Sequence, residues 1–454
     1  MLRGAAARLA LAGALAASLA VGAYAQGRVP VVRDAEIEAL VREYAKPILK
    51  AAGLSNQNIE IILVNDARFN AFVTGRKMFI NTGALMQAET PNEIIGVIAH
   101  EAGHIAGGHQ QRLRQQLERA QTMAVVAGLL GMGAIAAGAA TKTEGLGQVG
   151  AGVVAGGAEA ARRGLLNYQR SEEVTADRSA LTYLERTGQS AKGMLKTFGR
   201  FQSTLSLSGA RVDPYLQSHP MPRDRIANLE TLARESAHFD KPDSPALQAR
   251  HDMMRAKIAV FTQEQGLTAR LFRNDPGGAA ALYADAISTY LRGNPAAALK
   301  KTDAMIKAQP KNPYLRELRG DILMKANKPE AAAEAYQSAL SLDPNKSSML
   351  QLGYAQALIA TGEPASLKKA ATAATKALDR DKSNVAGYRL LAQAHGLMGD
   401  VAEAELATAE EHFHMGAHQD AKIFAARAQQ KFKRGSPGWL RAQDIINFRA
   451  PKKK

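Results

Sequence analysis

Thr90-Pro91-Asn92-Glu93-Ile94-Ile95-Gly96-Val97-Ile98-Ala99-His100-Glu101-Ala102-Gly103-His104 is the stretch on which the reading of this chain turns. Thr90 suits a helix N-cap, Pro91 the first helical position and Glu93 the return partner of a capping box. The helix so predicted runs through His100 towards Gly107-Gly108, and its apolar run from Ile94 to Ala99 buries it in a core. Spacing of four sets His100 and His104 on one face, where both imidazoles reach one metal ion. Glu101 need not ligate and is placed to take a proton from an attacking water.

Two histidines leave a catalytic zinc one protein ligand short. A metzincin would add a histidine six residues after His104, where this chain has Gln110. His109 falls one residue early, on roughly the opposite helix face, and reads as a structural or solvent-bonded side chain. Glu173-Val174-Thr175-Ala176-Asp177 offers a carboxylate instead. Glu173 is the candidate ligand, and Asp177, one turn on, is placed to accept the second ring proton of a ligand histidine and fix its tautomer. Glu172 competes, but it lies five residues from Asp177 rather than four.

At 454 residues the chain exceeds one small domain. With 46% hydrophobic and 22% charged residues it is not wholly disordered. It has no cysteine, which excludes disulfides, thiol catalysis and thiolate metal sites and leaves a metal to histidines and carboxylates. The net charge of +16 is spread along the chain apart from Lys452-Lys453-Lys454. It suits acidic partners or an anionic membrane surface. Nucleic acid has that charge alone in its favour, and the N-terminus argues against it. Arg3 and Arg8, an apolar stretch from Leu9 to Val21 and Ala23-Tyr24-Ala25 form a signal peptide over 1–25, which predicts export to a bacterial periplasm.

Downstream, helical spacing covers 35–53 with Asp34 as cap, and Ile59 to Val64 reads as a strand. Ala71-Phe72-Val73 and Met78-Phe79-Ile80 flank a hairpin turn. In 123–160, 21 residues are Ala or Gly, and Met123 to Ala140 carries no charge. We read it as a mobile hairpin that covers the active site or touches lipid peripherally, with a membrane span as the alternative. Helices are expected from Ser171 to Arg186 and from Ala246 to Gln263, with linkers around His238–Pro245 and Asn274–Gly278. Pro295, Pro329 and Pro364 then recur 34 and 35 residues apart. Between them, Gly320, Ala332, Tyr336, Ala339 and Pro344 reproduce the tetratricopeptide pattern, where small residues let paired helices approach.

His100-Glu101-x-x-His104 followed by Glu173-x-x-x-Asp177 resembles the gluzincin metallopeptidases of the HtpX and CAAX-prenyl-protease type. Three further features are similar to that family: Asn70-Ala71-Phe72 with the hairpin to Gly83, the helix around Ser171–Arg178, and His219-Pro220 through Ile226. An export signal in front and repeats behind resemble the architecture of periplasmic beta-barrel assembly-enhancing proteases. One departure is the order Gln169-Arg170-Ser171, where the family often has a Ser-Arg pair.

The resemblance implies a mainly α fold: a helical zinc-metallopeptidase domain over 26–265 with a small β-sheet, a tetratricopeptide solenoid over 276–434 and a basic tail over 435–454. It implies one zinc per chain on His100, His104 and Glu173, with Glu101, His219 and Arg225 as catalytic residues, the last two approaching from a separate loop. His219 can serve the oxyanion of the reaction or close the metal's open position. Phe72, Val73 and Thr74 are expected to bind an extended substrate peptide by strand addition. The expected function is endopeptidase clearance of unfolded or misassembled envelope proteins, with the outer-membrane assembly machinery as a partner of the repeats. A scaffold or chaperone with a latent site is the rival.

Overall fold

The structure, a computed structural model, describes residues 30–141, 144–207, 219, 223–262, 264 and 266–449. The expected signal peptide, Pro220–Pro222 and the final lysines lie outside the described residues. Strand β1 (Val31–Val32) leads into α1 (Ala35–Ala51), whose cap Asp34 accepts the Ile37 N–H at 2.9 Å. Strands β2 (Glu60–Val64), β3 (Ala71–Thr74) and β4 (Lys77–Asn81) follow. The sheet order is β1-β2-β4-β3, with β2 and β4 parallel and the other pairs antiparallel. Strand β3 therefore lies at an edge. The hairpin turn holds Gly75 at φ +60°, which a side chain would disfavour.

Helix α2 (Thr82–Gln87) precedes α3 (Pro91–Gly107), which carries the His-Glu-x-x-His motif. Pro91 occupies the first turn as expected, but the capping box does not form: Thr90 makes no side-chain cap bond, and Glu93 accepts the Glu89 N–H at 3.0 Å. The fully buried Glu93 carboxylate is drawn instead to cations of a later helix, 2.6 Å from Arg200 and 3.1 Å from Lys196. Next come α4 (His109–Thr141) and α5 (Glu144–Arg186), a long antiparallel hairpin. The helix expected from Ser171 thus starts at Glu144. Alanine favours helix, and Gly131, Gly150 and Gly157 sit where the two rods touch, so a stretch with little hydrophobic pattern stays helical.

Helices α6 (Lys192–Leu207), α7 (Arg223–Arg234) and α8 (Pro245–Phe261) complete this half. One continuous core joins Tyr44 and Ile48 of α1, Met78 and Ile80 of β4, Ile94 and Ile98 of α3, and Phe198 of α6. His251 of α8 is buried in that region. Its Nδ1 lies 3.1 Å from the Tyr44 hydroxyl and its Nε2 lies 2.9 Å from the Ala88 carbonyl oxygen, the pattern of a neutral ring that accepts at one end and donates at the other.

Burial pushes the His251 imidazole down to about 4 from 6.5. The unfolded chain therefore takes up a proton below pH 6.5 that the folded state refuses, and stability falls as pH drops through the window towards 4. Between pH 7.5 and 5 this one group removes about 2 kcal/mol. Denaturant titrations across that range are expected to show a flatter pH slope for His251→Asn than for wild type, though from a lower starting stability.

After a short α9 (Leu267–Leu271) the chain forms helix pairs: α10 (Ala279–Leu291), α11 (Pro295–Ala308), α12 (Pro313–Lys325), α13 (Pro329–Leu342), α14 (Ser348–Thr361), α15 (Pro364–Arg380), α16 (Val385–Met398), α17 (Val401–His414) and α18 (His418–Lys431). The fold is mainly α, with one small sheet and a repeat array. The three periodic prolines each open the second helix of a pair, where a missing N–H costs nothing. Tyr336 fills the space between Gly320 and Gly353, at either of which a Cβ would meet its ring within 3 Å. The segment expected as a tail instead holds α19 (Pro437–Asn447), capped by Ser436. Ala442 and Ile445 bury it against α18, an apolar face that the basic composition of the terminus hides.

The two halves are in contact. Ala35 and Ala39 of α1 pack with Tyr314, Ala339 and Leu350 of the repeats. Beneath them Lys257 of α8 lies 2.7 Å from Asp34 and 3.3 Å from Glu36, and the Tyr283 hydroxyl donates to Glu36 at 2.8 Å. Burial works against the Lys257 ammonium, but Asp34, Tyr283 and Glu36 hold it well above its ordinary value.

Candidate metal centre

The site is built where α3 crosses α5. A Cβ on Gly103 would lie 2.9 Å from the Ala176 carbonyl oxygen, so the glycine inside the motif lets the two backbones meet. That contact sets His100 and His104 beside Glu173 and Asp177. Asn92 ties in α6 as well, donating to the Ser190 carbonyl at 2.7 Å and accepting the Gly193 N–H at 2.8 Å.

Four buried side chains converge: His100, His104, Glu173 and His219, with one ligand atom of each within 4.8 Å of all the others. The His100 and His104 Nε2 atoms are 3.0 Å apart. Glu173 oxygens lie 3.4 Å from His100 Nε2 and 3.3 Å from His104 Nε2. His219 Nδ1 lies 3.0 Å from Glu173 Oε2 and 3.3 Å from His100 Nε2. A tetrahedral ion with bonds of ~2.0–2.1 Å separates its ligands by about 3.3 Å, so these residues fit a small N/O-bound cation. Among the described residues no other such cluster forms. His412 and His414, close in sequence, instead stack on Phe424 and Tyr388.

Around the donors lies a second set of partners. Asp177 Oδ1 is 2.9 Å from His100 Nδ1, which leaves Nε2 of that ring to face the centre. Arg225, on the first turn of α7, binds Asp177 through two nitrogens at 2.5 and 2.8 Å and reaches Glu173 at 2.9 Å. Its guanidinium also lies over the Phe198 ring. Burial opposes the charge on Glu173, but His219, His100 and His104 hold its carboxyl well below the ordinary range. Asp177 is likewise lowered against burial by Arg225 and His100. Burial also opposes a proton on His100, but Asp177 and Glu173 raise that ring to about 9.

Glu101 is the exception to this pairing. Among the described residues, both of its carboxylate oxygens are buried and accept no hydrogen bond, and His219 Nε2 lies 3.4 Å from Oε1. Buried carboxylates are normally bonded, so an orphan beside a donor cluster points to a reacting group.

His109 was expected to point away from the site. Gly108 at φ +65° ends α3 and restarts the helix as α4, which turns His109 back. Its Nδ1 lies 2.9 Å from His104 Nδ1 and its Nε2 lies 3.0 Å from Glu172. Glu172, the weaker ligand candidate, thus braces His104 through His109. The Gly107-Gly108 pair was the available sign that helical counting fails there.

The edge strand borders the same cleft, a cavity of about 180 Å³ lined by Phe72, Val73, Glu101, His104, Glu173 and others. The Asn81 N–H bonds the Asn70 carbonyl at 3.0 Å, so the ladder bonds fall on the pairs 72/79 and 74/77. Main-chain groups of Ala71 and Val73 then face the open edge. Of the three expected contacts, Val73 is buried, Phe72 is half-buried against Phe79 and Thr74 is exposed.

This fold and this site define a metallopeptidase. Residues 32–233 match the model of peptidase family M48, and residues 298–410 match that of the cytochrome c-type biogenesis protein H TPR domain. The chain is 24% identical over 422 residues to the beta-barrel assembly-enhancing protease of Escherichia coli (strain K12), covering 90% of this chain and 82% of that protein. The protein of that name from Yersinia pestis is 25% identical over 392 residues, 84% and 76% of the two chains. Metalloprotease YcaL of Escherichia coli (strain K12) is 28% identical over 193 residues, 41% of this chain and 69% of that one.

Proposed function

We propose that this chain is a periplasmic, zinc-dependent endopeptidase that cuts unfolded or misassembled envelope proteins, with its repeats recruiting clients or the outer-membrane assembly machinery. The observation that carries this reading is the orphan Glu101 carboxylate, set between the converging donors and the open edge of β3. The proposed catalytic unit is 26–265 and the recruiting unit is 276–434. His100, His104 and Glu173 would hold one zinc, which when bound supplies Lewis acidity to the scissile carbonyl. Glu101 holds and moves the proton, Asp177 fixes the His100 tautomer, and Arg225 positions both carboxylates. An extended client adding to β3 is read through main-chain bonds, which tolerate many sequences. Relatives named for enhancing beta-barrel assembly support the link to an assembly machinery.

A second reading, that the resting enzyme is latent, is favoured by His219. With its Nδ1 among the donors the protein would offer four ligands to a bound zinc, which would leave no open position for substrate. The test is cleavage of an unfolded model protein by zinc-loaded wild type and His219→Ala, with and without chelator. Chelator-sensitive cutting that rises at least tenfold in His219→Ala supports a locked peptidase. Equal cutting by both removes the lock, and no cutting by either favours the scaffold.

A further inference from the structure

We propose that the apolar arms of the α4–α5 hairpin insert into the hydrocarbon layer of a membrane, independently of what the catalytic site cuts. The hairpin is built inside out for water. Its inner seam is built around small residues: a Cβ on Gly131 would lie 2.5 Å from the Gly150 carbonyl oxygen, and one on Gly157 would lie 2.4 Å from Ala127, with Ile135 and Val154 packed beside the glycines. Most of the large side chains point outward instead, with Val125 61%, Leu129 62%, Leu130 65%, Met132 58% and Val149 62% exposed. Small residues between helices and large apolar ones around them is the arrangement that lipid, not water, stabilises.

Three features select a bilayer over a protein groove. First, residues 120–141 carry no charge, and the Lys142 and Glu144 that follow them in sequence fall where an arm of this length reaches the far headgroups. At ~1.5 Å per residue the uncharged stretch extends about 33 Å, against a hydrocarbon core of about 30 Å. Second, Val126 and Leu130 lie on one flank of α4, and Met132 and Ile135 on the other. At ~100° per residue the exposed set covers more than half of the circumference, which one partner surface would leave partly uncovered. Third, the contacts of Gly131 with Gly150 and of Ala127 with Gly157 place Arg119 level with Arg162 and Arg163. With Arg114 they form a belt where the apolar part begins, opposed by Glu118 and Glu159. Arginines at that height keep their stems along the apolar surface and their heads among anionic headgroups.

The test uses the full mature chain and vesicles of phosphatidylethanolamine with phosphatidylglycerol. Since the protein has no cysteine, Leu130→Cys, Val153→Cys and, in the repeats, Lys368→Cys each accept one environment-sensitive fluorophore. The protein is expected to float with vesicles. The probes at 130 and 153 should shift to the blue and be quenched by spin labels deep in the acyl chains, and the probe at 368 should not. Leu129→Glu combined with Leu130→Glu should lower the bound-to-free ratio more than tenfold while melting as wild type does. Four results would each overturn the proposal: no flotation; flotation with unshifted probes, which marks adsorption by basic charge; a blue shift without vesicles that grows with protein concentration, which marks pairing between copies; or unaltered flotation of the double variant.

Discussion

Glu101→Gln is expected to lower peptide hydrolysis by ~10²–10⁴-fold, the range that general acid–base groups contribute. The replacement keeps the shape of the side chain and removes its basicity. Because neither oxygen of Glu101 accepts a hydrogen bond, the variant gives up only the 3.4 Å contact with His219 and is relieved of a buried charge. It should melt at or above the wild-type temperature and bind metal with unchanged stoichiometry. Steady-state cleavage, metal analysis and a thermal melt on one preparation check all three. Loss of metal in this variant would make Glu101 a ligand and defeat the assignment.

Arg225→Met is expected to cost about 3–5 kcal/mol, since it breaks a buried ion-paired cluster from one side. Asp177 would lose both of its guanidinium contacts and Glu173 the one at 2.9 Å, and both carboxylates are buried. The loss should be larger in metal-free protein, because a bound cation offsets the charge on Glu173. Arg225→Lys should fall between, as an ammonium keeps the charge but cannot bridge two carboxylates in the same way. Urea midpoints with and without zinc read the effect. A loss below 1 kcal/mol in both states would mean that the cluster reorganises freely.

What the sequence made legible follows from helical geometry. His100, Glu101 and His104 are related by spacing within one helix, and Glu173 and Asp177 by spacing within another, so their mutual placement could be counted. The bond between those two helices could not be counted. It rests on Gly103 meeting Ala176, and a glycine inside a motif looks like any other until the partner backbone is seen. His219 stands 46 residues from Glu173, and no periodicity links them; it entered through family resemblance. His109 was misplaced because one left-handed residue, Gly108, resets the helical phase. The hairpin was underestimated because Ala and Gly carry little hydrophobic pattern, and α19 because a basic terminus masks Ala442 and Ile445.

Helix α5 runs without a break from Glu144 to Arg186, so the proposed metal ligand and one apolar arm belong to one rod. The 14 residues from Glu159 to Glu173 measure about 21 Å along it. With the arms seated in lipid, that length acts as a gauge. It holds the cleft at a set height above the headgroups, facing chain that still protrudes and out of reach of chain already embedded. Selection between a stalled client and a finished one would then need no recognition of sequence, only of altitude.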